Sequence, residues 1–266
     1  MPRIEVNDIQ TYYEAHGEGF PLVMIQGLSA NSGWWDPRWI KTLSERFKVV
    51  AFDNRGAGRT ELSAKEYSIR LFADDTAALM DALGIPEAHV LGISMGGMIA
   101  QELAINHPRK VERLVLCSTY CGGEKSVQPS DEVMQTLMPD RGDLTVEEVA
   151  RMTIPLLLTE KFLKSNPGVE EFVFQQITRT PISPQAFARQ LNAIMNFNSW
   201  GRLLYIKAPT LILQGKQDIL VPPQNAPILN KAIPGSRMVY FKDSAHGLIE
   251  ETEEVLAAIL DFLTQP

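Results

Sequence analysis

The chain has 266 residues, 45% of them apolar and 21% charged, with a formal net charge of −7 at pH 7. This suits one large domain, or a domain carrying an insertion, and excludes a disordered chain. Without a basic patch, neither nucleic acid nor an anionic membrane is expected as a partner. No apolar run approaches the ~20 residues of a membrane span. The first ten residues, MPRIEVNDIQ, contain no apolar signal core, so a soluble, cytoplasmic location is expected.

In chain order, IQTYYEAHG and PLVMIQG read as strands, the second wholly apolar. WWDPRWIKTLSERF reads as a helix and KVVAFD as a strand. SIRLFADDTAALMDALG is an amphipathic helix ending at Gly84. AHVLGIS, MGGMIAQELAINH and VERLVLCS continue as strand, helix and strand. Strands separated by helices of this length imply βαβ units and a parallel sheet. After Ser118 the pattern changes. From about Thr119 to Gly201 the periodicity is helical, in TVEEVARMTIPLLL, GVEEFVFQQIT and SPQAFARQLNAIMNF. Strands return at APTLILQG and SRMVYFK, and the chain closes on the helix TEEVLAAILDFL. The expected organisation is an α/β domain over residues 1–118 and 202–266, interrupted by a helical cap over 119–201.

The strand ending at Ile93 and the helix following it enclose Ser94 within GISMGG. A turn this tight requires tiny neighbours, which Gly92 and Gly96 supply. It holds a hydroxyl out at the sheet edge beside a helix N-terminus, where free N–H groups and partial positive charge favour a developing oxyanion. This is the G-x-S-x-G nucleophile elbow in its required strand–turn–helix setting.

A serine nucleophile needs a base. In a parallel sheet the reacting groups collect beyond the carboxyl ends of the strands. Of His16, His89, His107 and His246, only His246 follows a strand at that rim. Asp218, in GKQDILVP, also follows a strand and is the expected orienting acid; Asp243, three residues before His246, is the reserve. The order Ser94, Asp218, His246 is that of α/β-hydrolases. The histidines form no cluster with one another or with Cys117 and Cys121, so no metal is expected. Two cysteines exclude a disulfide framework, and both are expected to be buried and inert.

IQGLS, DNRGAGRT, GISMGG, LILQGKQDILVP and DSAHG together resemble the α/β-hydrolase-fold serine hydrolases that carry a helical cap. The likeness is strongest to small bacterial carboxylesterases, enol-lactone hydrolases and cofactor-free haloperoxidase-type enzymes. It implies an α/β-hydrolase fold, a mostly parallel sheet flanked by helices, with a helical cap before the last two strands. It also implies an oxyanion hole formed by the backbone N–H groups of Leu28 and Met95, and places Asp53 and Arg55 in loop-fixing roles. Two departures stand out. Gln26-Gly27 replaces the frequent His-Gly, and Ser29 stands where haloperoxidase-type members often have proline. Dehalogenases and epoxide hydrolases of this fold carry aspartate where Ser94 stands. RGAGRT lacks the third glycine of a dinucleotide site, and no cofactor is expected.

The expected reaction is hydrolysis of small to medium carboxylic esters through an acyl-enzyme on Ser94, with a lactone or enol-lactone as the alternative. A second class of reading is a triad-bearing sensor of a small ligand. The insertion supplies many apolar residues, including Ile154, Leu156, Phe172, Phe174, Met195 and Phe197. Most would form its own core, while some roof the pocket. Gly27, Leu157 and Ile194 are the pocket candidates, with Trp34 as wall or as packing for the following helix. A homo-oligomer is compatible with all of this.

Overall fold

The wholly apolar runs of the sequence become the central strands, because a parallel strand covered by helices is buried on both faces. In the computed structural model, which describes residues 2–138 and 144–265, β1 (Arg3–Val6) and β2 (Ile9–His16) form a hairpin at one edge. β3 (Phe20–Ile25) is followed by α1 (Pro37–Ser44), β4 (Phe47–Phe52) and α2 (Ile69–Ala82). Next come β5 (Ala88–Ile93), α3 (Met95–Asn106) and β6 (Val111–Cys117). Among the described residues five α-helices then intervene: α4 (Asp131–Leu137), α5 (Val146–Leu157), α6 (Glu160–Ser165), α7 (Pro167–Arg179) and α8 (Pro184–Met195). The chain ends with β7 (Thr210–Gly215), α9 (Asn225–Ala232), β8 (Arg237–Phe241) and α10 (Thr252–Leu263).

The sheet order is β1-β2-β4-β3-β5-β6-β7-β8. From β4 to β8 every neighbouring pair is parallel. Two apolar layers cover its faces. One holds α2, α3 and α9 residues such as Phe72, Met98 and Leu229; the other holds Trp39 of α1 with Val255, Ile259 and Phe262 of α10. Gly84 ends α2 at φ 67°, with Ile85 N–H bonded to Met80 O at 2.8 Å and Gly84 N–H to Asp81 O at 3.0 Å, the Schellman arrangement.

The inserted helices are built in two ways. α5 and α7 share a small core of Ala150, Ile154, Val173 and Ile177, and α5 opens with a capping box between Thr145 and Glu148. α8 instead docks on the main body. Ala193 and the following Phe197 pack into the sheet's own core, so Phe197 is not part of a core private to the insertion. Ser199 N–H to Cys121 O, 2.8 Å, ties the two ends of the insertion together.

Candidate active site

Ser94 sits between β5 and α3 at φ 58°, ψ −123°, a conformation that costs a non-glycine residue about 1–3 kcal/mol unless the surroundings hold it. They do so here. Ser94 N–H reaches Cys117 O at 2.9 Å, and Thr119 Oγ1 donates to Ser94 O at 2.8 Å. The flanking glycines admit no side chain. A Cβ on Gly92 would lie 2.2 Å from Gly96 O, one on Gly96 2.0 Å from Ile25 O, and one on Gly97 2.6 Å from Thr119. The crowding at Gly96 therefore comes from β3, not only from the strand–helix pair of the elbow itself.

His246 is buried in the loop after β8. That loop crosses the end of β7 where a Cβ on Gly215 would stand 2.4 Å from Ser244 O. Its Nδ1 lies 2.9 Å from Asp218 Oδ2. The Asp218 carboxylate, buried at the end of β7, also accepts from Gln214 Nε2 at 3.0 Å, Leu220 N–H at 2.9 Å and Val221 N–H at 2.8 Å. Asp243 is exposed, with Lys161 Nζ at 3.8 Å as its ion-pair partner, and is not brought to His246. Ser94 and His246 line the same cavity, with no direct hydrogen bond between them among the described residues.

Gly27 presses on the serine: a Cβ there would lie 3.0 Å from Ser94 Cβ and 3.5 Å from Ser94 Oγ. Among the described residues the N–H groups of Leu28 and Met95 have no acceptor, while those of Gly27, Ser29 and Ser94 do. Two free donors thus stand beside the serine.

The cavity encloses about 290 Å³. Gln26, Gly27, Leu28, Ser94 and His246 lie on its polar side, and Leu157, Phe172, Ile177, Phe187, Ile194 and Met195 come from the inserted helices. Leu157, Ile194 and Trp34 all line it. Trp34 also packs against the α5–α7 core. Trp35 is buried and stacks on Trp39 at 5.9 Å, so it both lines the cavity and packs α1. Among the described residues no lysine or arginine lines the cavity. Its Asp36 N-caps α1 and pairs with Arg38 at 2.5 Å. Tyr120 lines the cavity too, and burial pushes its phenol up to about 12.

Asp53 and Arg55 are buried loop anchors. Arg55 is held between Asp75 and Asp8, and Asp53 accepts from Ser32 N–H at 2.7 Å and from Arg59. Cys117 and Cys121 are buried and unpaired. Among the described residues no group of three or more His, Cys, Asp or Glu could hold a metal ion, and no helix is long and apolar enough to cross a membrane. The sequence reading missed two polar residues at the rim, Gln190 and Glu250. Glu250 Oε1 accepts from Thr159 N–H at 3.0 Å and Ala245 N–H at 3.2 Å, joining the inserted helices to the His246 loop. No local pattern marks either residue.

Known proteins resemble this chain over nearly its whole length. The chain is 30% identical over 261 residues, 98% of its length and 97% of the relative's, to RutD of Azorhizobium caulinodans, whose name assigns it to carbamate hydrolysis. It superposes on the enol-lactonase of Burkholderia xenovorans LB400 with a TM-score of 0.88 at 26% identity, covering 99% of this chain and 100% of that one. A thermophilic esterase from Thermogutta terrifontis gives a TM-score of 0.83 at 25% identity, covering 99% and 98%. The model of the alpha/beta hydrolase fold family matches residues 21–252, a span that takes in the elbow, both carboxyl-end loops and every inserted helix. The chain belongs to that family of hydrolases.

Proposed function

We propose that the protein is a carboxylesterase cleaving uncharged esters of small to medium acyl groups through an acyl-enzyme on Ser94. The observation carrying this reading is that a strained serine and a histidine already held by a buried carboxylate open into one apolar cavity. Asp218 keeps the Nδ1 proton on His246, leaving Nε2 as the base. Ser94 Oγ attacks the ester carbonyl and His246 takes its proton. The N–H groups of Leu28 and Met95 stabilise the oxyanion. As the tetrahedral intermediate collapses, the bond to the alcohol oxygen breaks and His246 protonates the leaving alcohol. Water, deprotonated by the same base, then releases the acid and regenerates Ser94. The helices between β6 and β7 act as the cap that keeps bulk water from the acyl-enzyme.

The lining argues for the uncharged substrate. A carboxylate-bearing acyl chain would enter a site where no described lining residue is a lysine or arginine, and a buried charge without a partner is costly. A small anionic carbamate would leave the apolar walls unused. The likeness to an enol-lactonase favours lactones as a second reading, since ring opening needs the same groups. The test is a hydrolysis panel of nitrophenyl esters ending in methyl or carboxylate, together with lactones and thioesters. Fast multiple turnover on methyl-terminated esters is expected. Preference for the carboxylate-terminated partner would overturn the substrate class, and a single slow turnover with retained ligand would point to a sensor.

A further inference from the structure

We propose that Gln190, on the inserted helix α8, is a positioning residue for the oxyanion hole. The proposal rests on the esterase reading above. Of the four amides from Gly27 to Ala30, three are engaged. Gly27 N–H bonds Gln26 Oε1 at 3.2 Å, Ser29 N–H bonds Gln190 Oε1 at 3.0 Å, and Ala30 N–H closes a turn onto Gly27 O at 3.3 Å. Only Leu28 N–H is left for the substrate.

That turn has Leu28 and Ser29 at its centre, and Ser29 lies at φ 67°. A positive φ at the third turn residue marks type II, whose central peptide is flipped relative to the commoner type I. Serine is not the residue that favours this geometry. Something outside the turn must hold the Leu28–Ser29 peptide, and Gln190 Oε1 is the acceptor its N–H finds. Gln190 is itself anchored: the residue is 0% exposed, and its Nε2 donates to Arg55 O at 3.1 Å. One end of the amide needs an oxygen and the other an N–H, so its orientation is unambiguous. Asn54 Nδ2 holds the other flank of the loop, at Gln26 O, 2.9 Å. The loop is therefore clamped from the sheet side by Asn54 and from the inserted side by Gln190. Seating of α8 and alignment of the Leu28 donor become one event.

The test uses Gln190→Met, close in length but unable to accept, and Gln190→Glu, which keeps the acceptor for Ser29 N–H and loses the donor to Arg55. Two inhibitors of one acyl skeleton are compared on the full-length protein: a trifluoromethyl ketone, which forms an oxyanion on addition of Ser94, and the matching secondary alcohol, which does not. For Gln190→Met, kcat/KM should fall on the order of 10²-fold, as for a displaced donor. The ketone Ki should rise by the same factor while the alcohol Ki stays put. Gln190→Glu should fall less, with the same parallel between ketone and turnover, and it carries the test if the Met variant does not fold. A merely structural role predicts that both inhibitors weaken together, or that lost activity tracks lost folded protein; either result overturns the proposal, as does wild-type turnover in Gln190→Met. Wild-type protein that neither turns over esters nor binds the ketone would remove the esterase reading and this proposal with it.

Discussion

Oδ2 of Asp218 lies 2.9 Å from Nδ1 of His246, and the other carboxylate oxygen, Oδ1, is committed to the N–H groups of Leu220 and Val221. The carboxylate cannot turn without stranding the buried Val221 amide and the part-buried Leu220 amide. It therefore presents one fixed acceptor to the imidazole and sets which ring nitrogen carries the proton.

Asp218→Asn should keep its amide oxygen on Leu220 and Val221 and turn its NH2 toward His246, selecting the wrong tautomer. Turnover should drop by about 10⁴, the scale seen for the same change in the serine-protease triad. Asp243→Asn, at an exposed position paired only loosely with Lys161, should stay close to wild type. Steady-state kcat for the two variants on one nitrophenyl ester checks this, and the reverse ranking would move the acid to Asp243.

Leu157 and Ile194 line the cavity from α5 and α8. Leu157→Trp and Ile194→Trp should each shift preference toward shorter acyl chains, with a stability loss below the ~1–3 kcal/mol of core over-packing. The check is kcat/KM across nitrophenyl esters from acetate to octanoate. A uniform drop along the series would make the residue a packing residue of the inserted helices; unchanged profiles for both would shift attention to Trp34.

Burial holds the Glu250 carboxyl above its ordinary value of 4.5, and the neighbouring Glu251 adds to this. A carboxyl whose pKa is raised on folding binds more protons in the native state than in the unfolded one. Stability from this group is present below the unfolded pKa and is lost as pH rises through the folded value. Glu250→Gln removes that dependence. The Tm of the variant relative to wild type should therefore increase as pH rises above 4.5, measured by calorimetry at a series of pH values. A difference that does not change with pH would contradict the assignment.

What was legible in the sequence was what is local. Wholly apolar strands, the glycines of the elbow and the carboxyl-end rule place Ser94, Asp218 and His246 along one rim without any contact being known. β1 was not legible: RIEV alternates charged and apolar residues over only four positions, and it is a strand because β2 pairs with it across the turn at Asn7, φ 54°. α9 was hidden by Pro222, Pro223 and Pro227, which mask a short helix that forms against β7 and β8. The short helices α4 and α6 lack enough turns to show a period. Gln190 and Glu250 are ordinary surface-type residues in the sequence, and their roles exist only because α8 and the His246 loop meet segments 161 and 91 positions away.

Covalent labelling tests most directly whether Ser94 is the nucleophile. Phenylmethylsulfonyl fluoride should add one sulfonyl group to the protein, mapped by peptide mass spectrometry to Ser94, as ester hydrolysis is lost. Ser94→Ala should be folded, unlabelled and inactive. Label on another serine, or near-wild-type hydrolysis by Ser94→Ala, would contradict the account.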